Sequence, residues 1–235
     1  MPDAQKKSAL KEKTIGKRHH RVLVWDLPTR LFHWLLVLLV ILSFVTGKMG
    51  GTTMQYHEWS GVAILVLVVF RLLWGFVGGA QSRFMAFVSG PRAMIDYART
   101  FVRTDSKRYL GHNPLGGWSI IAMLVALSIQ VGTGLFANDD ILTEGPLFQW
   151  VSKATSDWLT RIHHINQTIL VGLVVLHVGA VVFYLLVKRE NLIIPMITGR
   201  KDWYEAVDAL KGSVVRAIFL TAVVALITYL IVYGM

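Results

Sequence analysis

Apolar residues are concentrated in five long runs along this chain. The runs cover about residues 27–47, 56–77, 115–136, 157–189 and 217–235. Each is about as long as a helix that crosses a bilayer, which needs roughly 20 residues. The fourth run holds no Asp, Glu, Lys or Arg between Ile162 and Val187. The pattern predicts an all-α integral membrane protein with five transmembrane helices, of which the fifth is C-terminal.

Polar segments divide the chain around these runs. Residues 1–24 are polar and basic, and we interpret them as a mobile cytoplasmic tail in which His19 and His20 are solvated. Residues 25–201 then form the four-helix domain, and residues 202–235 form a linker and the fifth helix.

Two connecting segments have the character of helices that lie on a membrane surface. Within residues 90–103, Pro91 can start a helix, and apolar and basic residues fall on different faces. We therefore predict an interfacial helix at about 90–103. A second one is predicted within residues 202–216.

The distribution of charge predicts on which side of the membrane each end of the chain lies, and the composition excludes several kinds of site. The net charge is +10, but of 24 Lys and Arg residues 21 fall on one side of the predicted spans and 3 on the other. The positive-inside rule then puts the N-terminus in the cytoplasm and the C-terminus on the outer side of the membrane. The counterpart of the basic residues is therefore anionic membrane lipid and not nucleic acid. The absence of cysteine excludes disulfides, iron–sulfur clusters and c-type haem attachment.

Histidines within the apolar runs are the candidate functional residues, because ionisable side chains inside a membrane helix are costly. In the fourth run, His163 and His177 are 14 residues apart. This step is close to four helical turns, so both side chains share one face, about 21 Å apart along the axis.

The predicted topology sorts four histidines into two pairs by depth. His33 and His177 lie near the inner surface, and His57 and His163 near the outer surface. Two axial imidazoles from different helices are what a six-coordinate haem iron requires. Zinc would need further ligands, and no Asp, Glu or Cys is available at either depth. We therefore predict two non-covalent b-type haems, each with two histidine ligands.

Four further residues fall near these predicted ligands. Arg30 is one turn before His33, and Arg71 reaches the inner depth from the second run, so both could pair with haem propionates. The alternative for Arg71 is that it simply extends to the cytoplasmic surface. Gly47 and Gly61 would leave room at the outer site, or serve only helix packing.

The remaining histidines are less easily assigned. His164 could replace His163 on local grounds, but only His163 keeps near-whole-turn register with His177. We interpret His164 as a neighbour of the ligand or a headgroup contact, and His112 as a loop or interface residue.

Several short motifs resemble the bacterial cytochrome b561 family, which is related to the cytochrome b subunits of nickel–iron hydrogenases. They are RLFHW at 30–34, HEWSG at 57–61, GHNPLGG at 111–117, IHHINQTILVGLVVLH at 162–177 and NLIIPMITGRK at 191–201. The resemblance covers about residues 22–201. It implies a four-helix core with two b haems and electron transfer between quinone and a second redox partner.

The identity of that partner is open at this stage. The main interpretation is a periplasmic c-type cytochrome. The alternatives are a superoxide:quinone oxidoreductase, which would make the chain an enzyme, or a membrane-anchor cytochrome b subunit of a hydrogenase or dehydrogenase. The fifth run is additional to the four-helix pattern and is a candidate contact for a partner or a homodimer. A histidine-lined metal transporter is disfavoured because the spans lack the carboxylates that an ion pathway would need.

Overall fold

The computed structural model describes residues 20–102, 108–205, 207 and 211–234. Within this part of the chain, five helices are long and apolar enough to cross a membrane. They are α1 (Leu27–Met49), α2 (Met54–Val77), α5 (Pro114–Gly134), α6 (Lys153–Leu186) and α8 (Val214–Tyr233). Shorter helices are α3 (Phe84–Phe87), α4 (Pro91–Thr100) and α7 (Ile193–Thr198). The predicted all-α membrane architecture is confirmed.

Polar caps fix where four of the long helices begin. Asp26 accepts a hydrogen bond from Thr29 N at 2.9 Å at the start of α1, and Asn113 accepts one from Gly116 N at 2.8 Å at the start of α5. The side chains of Ser152 and Ser213 cap α6 and α8 in the same way. Such caps satisfy N–H groups that have no partner within the helix.

The four-helix core consists of two tightly packed helix pairs. Helix α1 packs along α2, α5 packs along α6, and α2 also contacts α5. An apolar cluster of Ile64, Val68, Leu127 and Val131 joins α2 to α5 at mid-depth. Helix α8 lies outside this core, where Ala217 packs against aromatic residues of α1 and α2. We call the end at which α1 begins the inner end, and the opposite end the outer end.

A two-stranded antiparallel sheet closes the inner end. Strand β1 (His20–Leu23) pairs with β2 (Arg200–Trp203), and Leu23 lies opposite Arg200. Gly199 has a positive φ of 81°, and a Cβ there would lie 2.7 Å from the carbonyl oxygen of Trp25. This is a conformation and a close approach that glycine alone adopts easily.

The sheet corrects part of the sequence interpretation. Residues 20–23 belong to strand β1, not to the mobile tail predicted for residues 1–24, because their backbone groups pair with a segment that follows the fourth long helix. The rest of the predicted tail, with His19, lies outside the described residues.

Of the two predicted surface helices, the described part of the chain contains one. A helix is present within the first range, 90–103, as α4 (Pro91–Thr100), although residue 103 itself lies outside the described residues. The second, predicted within residues 202–216, is absent from the described part of that range. Residues 202–203 complete β2 instead, and α8 already begins at Val214.

Candidate functional site

The inner end of the core brings His33 and His177 together. His33 lies on α1 and His177 on α6, and their ring centroids are 6.5 Å apart with an interplanar angle of 54°. The two rings therefore bridge the two helix pairs of the core.

The outer end repeats this arrangement with different helices. His57 on α2 and His163 on α6 have ring centroids 6.2 Å apart and planes 82° apart. Two imidazoles that bind one metal from opposite sides have ring centres roughly 6 Å apart, since each metal–nitrogen bond is about 2 Å and each ring centre lies about 1 Å beyond its nitrogen. Both pairs have this spacing.

Backbone carbonyl groups orient both outer rings. Nδ1 of His57 lies 2.8 Å from the carbonyl oxygen of Ser43, and Nδ1 of His163 lies 3.0 Å from that of Gln130. A histidine that donates its Nδ1 proton to a carbonyl presents an unprotonated Nε2, which is the form that binds a metal. The outer pair is therefore held in a ligating form by main-chain atoms.

Glycines lie directly behind the outer rings. A Cβ at Gly47 would be 2.7 Å from Nδ1 of His57, and a Cβ at Gly134 would be 3.0 Å from Cε1 of His163. No described atom lies within 4 Å of a Cβ built at Gly61. The missing side chain of Gly47 thus leaves the space that the His57 ring occupies, whereas Gly61 faces open space.

Arg71 is buried at the inner end of the core, near His112. Its residue is only 4% exposed, which excludes the alternative that it extends to the membrane surface. The guanidinium lies over the rings of Phe84 and Phe87, at 5.3 and 5.9 Å from their centroids. Among the described residues, its Nη1 has no hydrogen-bond partner. The carboxylate of Asp26 acts on this guanidinium electrostatically but leaves the Nη1 donor unsatisfied. A buried cationic donor without a hydrogen-bond partner favours a further acceptor nearby.

His112 lies in the loop before α5, as predicted, and its ring packs into the inner end of the core. Its ring packs against Trp25 and Phe87, with centroids at 4.6 and 5.0 Å. Burial, together with the positive charge of Arg71 and the nearby His177, lowers the pKa of His112 to about 3. The imidazole is therefore neutral at physiological pH.

Arg30 and His164 lie away from the space between the paired histidine rings. Nη1 of Arg30 donates to the carbonyl oxygen of Ile197 at 2.5 Å, and the side chain lines a separate cavity. His164 is exposed, and its ring centroid lies 6.2 Å from that of His163 on the same helix. Neither side chain lies between the paired imidazoles.

Polar side chains inside the spans were missed by the sequence interpretation. Nε2 of Gln130 lies 3.0 Å from Nε2 of His163, and Oε1 of Gln130 accepts from Nδ2 of the buried Asn166 at 2.7 Å. The available signal was the presence of these amides in stretches of the chain that hold no charged residue, since polar groups in membrane helices pair with one another.

The chemistry of the donor set fits haem. Among the described residues, no three or more His, Asp or Glu side chains gather in a group that could hold a metal ion. Two opposed imidazoles are sufficient when a porphyrin supplies the four equatorial nitrogens. The unpartnered cationic nitrogen of Arg71 at the inner end suits a propionate.

Known proteins are similar to this chain over most of its length. A relative from Bradyrhizobium diazoefficiens is 27% identical over 82% of this chain and 90% of its own. One from Rhodobacter capsulatus is 26% identical over 80% and 84%, and one from Azotobacter vinelandii 27% over 78% and 89%. Each is named a probable Ni/Fe-hydrogenase B-type cytochrome subunit.

The family comparison is more direct. No solved structure matches the chain. The model of the prokaryotic cytochrome b561 family matches residues 24–199, which contain all four paired histidines. This chain therefore belongs to the prokaryotic cytochrome b561 family and is a multi-pass membrane b-type cytochrome that transfers electrons.

Proposed function

We propose that this chain is the membrane cytochrome b subunit of a hydrogenase-type complex and passes electrons through two b haems to quinone. The observation that carries the proposal is the pair of opposed imidazoles at each end of one bundle, with ring centroids 6.5 and 6.2 Å apart. The printed names of the relatives support a hydrogenase partner.

His33 and His177 are the proposed ligands of the inner haem, and His57 and His163 those of the outer haem. The haem supplies reversible one-electron chemistry, while the protein sets its position and its electronic environment. The carbonyl groups of Ser43 and Gln130 keep the outer imidazoles in the ligating form. Because both pairs share α6, one helix sets the distance between the two sites, about 21 Å along its axis.

Arg71 is the proposed electrostatic partner of the inner haem. It is the buried cation near His112 at the inner end, and its Nη1 has no hydrogen-bond partner among the described residues. We do not extend this role to Arg30, because its guanidinium donates to Ile197.

The proposed orientation has the inner end in the cytoplasm and the C-terminus in the periplasm of an inner membrane. It is supported by the division of Lys and Arg into 21 and 3. A phosphatase reporter fused after Met235 should be active only when exported. A cytoplasmic reporter that is active at the same position would contradict this topology.

The interpretation as an electron carrier for a free c-type cytochrome now ranks second, and the hydrogenase alternative first. A protein partner at the outer end is also supported by the loop between α5 and α6. In this loop the side chains of Ile141 and Leu142 are 82% and 91% exposed, which is unusual for apolar residues at a polar turn.

The test is reduction of the haems by hydrogen in native membranes. Under anaerobic conditions, hydrogen should reduce the b-type absorption, and a quinone analogue should reoxidise it. In a His57→Ala variant with the inner haem retained, hydrogen should no longer reduce the remaining haem, because electrons enter at the outer end. If reduced c-type cytochrome drives haem reduction and hydrogen does not, the hydrogenase assignment is wrong.

A further inference from the structure

A large cavity opens at the inner end, away from the paired histidines. Its volume is about 650 Å³, and its walls come from strands β1 and β2 and from the first turns of α1 and α8. This volume lies within the range of pockets that hold organic ligands, roughly 300–1,000 Å³.

The cavity wall is strongly basic. Arg21, Arg30, Arg200 and Lys211 all line it. Nε of Arg30 is buried and has no hydrogen-bond partner within the described residues. An anionic ligand would satisfy this donor and the charges around it.

One carboxylate also lines the cavity, but its oxygen atoms are already engaged. Asp26 Oδ1 accepts from Thr29 N at 2.9 Å, and Oδ2 accepts from Gly79 N at 3.0 Å. Asp26 therefore acts as a helix cap and as a contact to the segment after α2. Arg21 also lies 4.0 Å from the exposed carboxylate of Asp202, which does not line the cavity. Among the described residues, the four cations of the wall outnumber these two carboxylates, so this part of the cavity is net positive.

Two helix N-termini add to this positive potential. Helices α1 and α8 both begin at the cavity, where Leu27 and Val214 form part of the wall. The first N–H groups of a helix and its dipole favour negative charge. The N-termini of α1 and α8 therefore favour an anionic ligand in the cavity, as the arginine and lysine side chains do.

The cavity is apolar where it meets the membrane-spanning surface. Leu27 and Val214 are 42% and 44% exposed, and both belong to spanning helices. A free phosphate ion has no apolar group that could contact Leu27 and Val214. A phospholipid has acyl chains that can pack against them while its phosphate lies in the cavity. Basic pockets between membrane helices on the cytoplasmic side are typical sites for anionic lipid headgroups.

We propose that this cavity binds the headgroup phosphate of an anionic phospholipid. The lipid would contact the strand pair and the starts of α1 and α8 at the same time. The inference does not depend on the partner or the haem number, since it rests on the cavity, its charges and its apolar border.

The experiment measures lipid binding to the purified, haem-loaded protein. Delipidated protein in phosphatidylcholine nanodiscs is titrated with phosphatidylglycerol, and bound lipid is counted by native mass spectrometry. Wild type should bind one phosphatidylglycerol per chain in strong preference to phosphatidylcholine. Arg200→Gln/Lys211→Gln should weaken this binding by about tenfold or more, because each basic residue near an anionic headgroup adds to the attraction and two are removed.

The matched control removes two charges from the same side of the membrane. Arg92→Gln/Arg99→Gln on α4 should change binding by less than twofold, since both side chains are exposed and lie outside the cavity. Equal effects of the two double variants would overturn the proposal. Inorganic phosphate that displaces the lipid at equal concentration would also overturn it, in favour of a free-anion site. If the cavity variant loses haem, Lys211→Gln alone replaces it.

Discussion

The side-chain amide of Gln130 lies 3.0 Å from Nε2 of His163, the nitrogen that we propose as an iron ligand. The same amide bonds to Asn166, and the Gln130 carbonyl accepts the proton of His163 Nδ1. One residue of α5 thus contacts both nitrogens of the outer imidazole, and no residue at the inner pair has an equivalent role among the described contacts.

The first prediction concerns this amide. In Gln130→Ala the carbonyl remains, but the amide dipole beside the ligand is lost, so the outer haem should become harder to reduce. With haem bound, the Nε2 lone pair would be on the iron, so the amide would act only as a nearby dipole and not as a hydrogen-bond donor to this nitrogen. Its contribution should not exceed that of a hydrogen bond, about 1 kcal/mol, so we expect the midpoint potential to fall by at most about 40 mV, at roughly 59 mV per tenfold change in equilibrium constant. Potentiometric titration of both haems checks this, with Ser128→Ala on the same helix as control. A shift of the inner haem instead would contradict the depth assignment.

The second prediction concerns Arg71. A fixed positive charge favours the reduced haem, so Arg71→Leu should lower the midpoint of the inner haem and leave the outer one nearly unchanged. At about 8 Å and an effective dielectric of about 20, the interaction is roughly 2 kcal/mol. This corresponds to an upper value of about 90 mV for one electron, and screening reduces it to tens of millivolts.

Arg71→Lys is the control for this second experiment, because it keeps the charge. It should restore most of the potential even if haem content falls slightly. An unchanged inner midpoint in Arg71→Leu at full haem occupancy would remove Arg71 from the site.

The third prediction compares two glycines. Gly47→Ala should displace the His57 ring, since its Cβ would lie 2.7 Å from Nδ1 and 3.0 Å from Cε1. We expect loss of most of the outer haem and retention of the inner haem, measured by pyridine haemochrome analysis and low-temperature spectra. Gly61→Ala meets no described atom within 4 Å, so the apoprotein should fold normally. If both variants keep two haems, the close approach of Gly47 to the His57 ring is not needed for the outer haem to bind.

The fourth prediction concerns pH and the outer loop. Hydrogen bonds from the backbone N–H groups of Thr143, Ile141 and Leu142 lower the pKa of Asp139 well below its usual range. The loop is therefore stabilised at every pH above the ordinary aspartate value of about 3.9, and this is lost only as the pH falls through the lower value in the folded state.

Limited proteolysis between pH 3 and 7 tests this fourth prediction. The wild-type loop should remain protected at pH 4, whereas Asp139→Ala should be cleaved at all pH values. Asp140→Asn is the matched control, because it also removes one carboxylate and asparagine tolerates the positive φ of 60° at this position. It should behave like wild type in the loop backbone. Equal protection of all three proteins would show that the Asp139 hydrogen bonds do not hold the loop.

Sequence patterns predicted the parts of this structure that depend on local spacing. The spans follow from the length of the apolar runs, and the depth of each histidine follows from its distance to the helix end. The 14-residue step between His163 and His177 placed both on one face of α6, and the structure brings each near a ring from another helix.

What the sequence did not predict depends on contacts between distant segments. The bond from Arg30 to Ile197 and the pairing of β1 with β2 join residues that no periodic pattern connects. The burial of His112 required knowledge that Trp25 and Phe87 meet around it. Helix α6 also begins earlier than the apolar run indicated, because Ser152 caps a polar first turn.

The pairing of β1 with β2 has a consequence for the order of assembly. Arg21 and Asp202 face each other across about 180 residues of chain. The sheet therefore cannot form until all four core helices have been synthesised, and closing so long a loop is a slow, late step. Until then α1 is fastened to the rest of the domain mainly through α2, and the gap between α1 and α6 stays accessible. A cofactor that enters between His33 and His177 would thus find its widest entrance on the nascent protein, before the strands join.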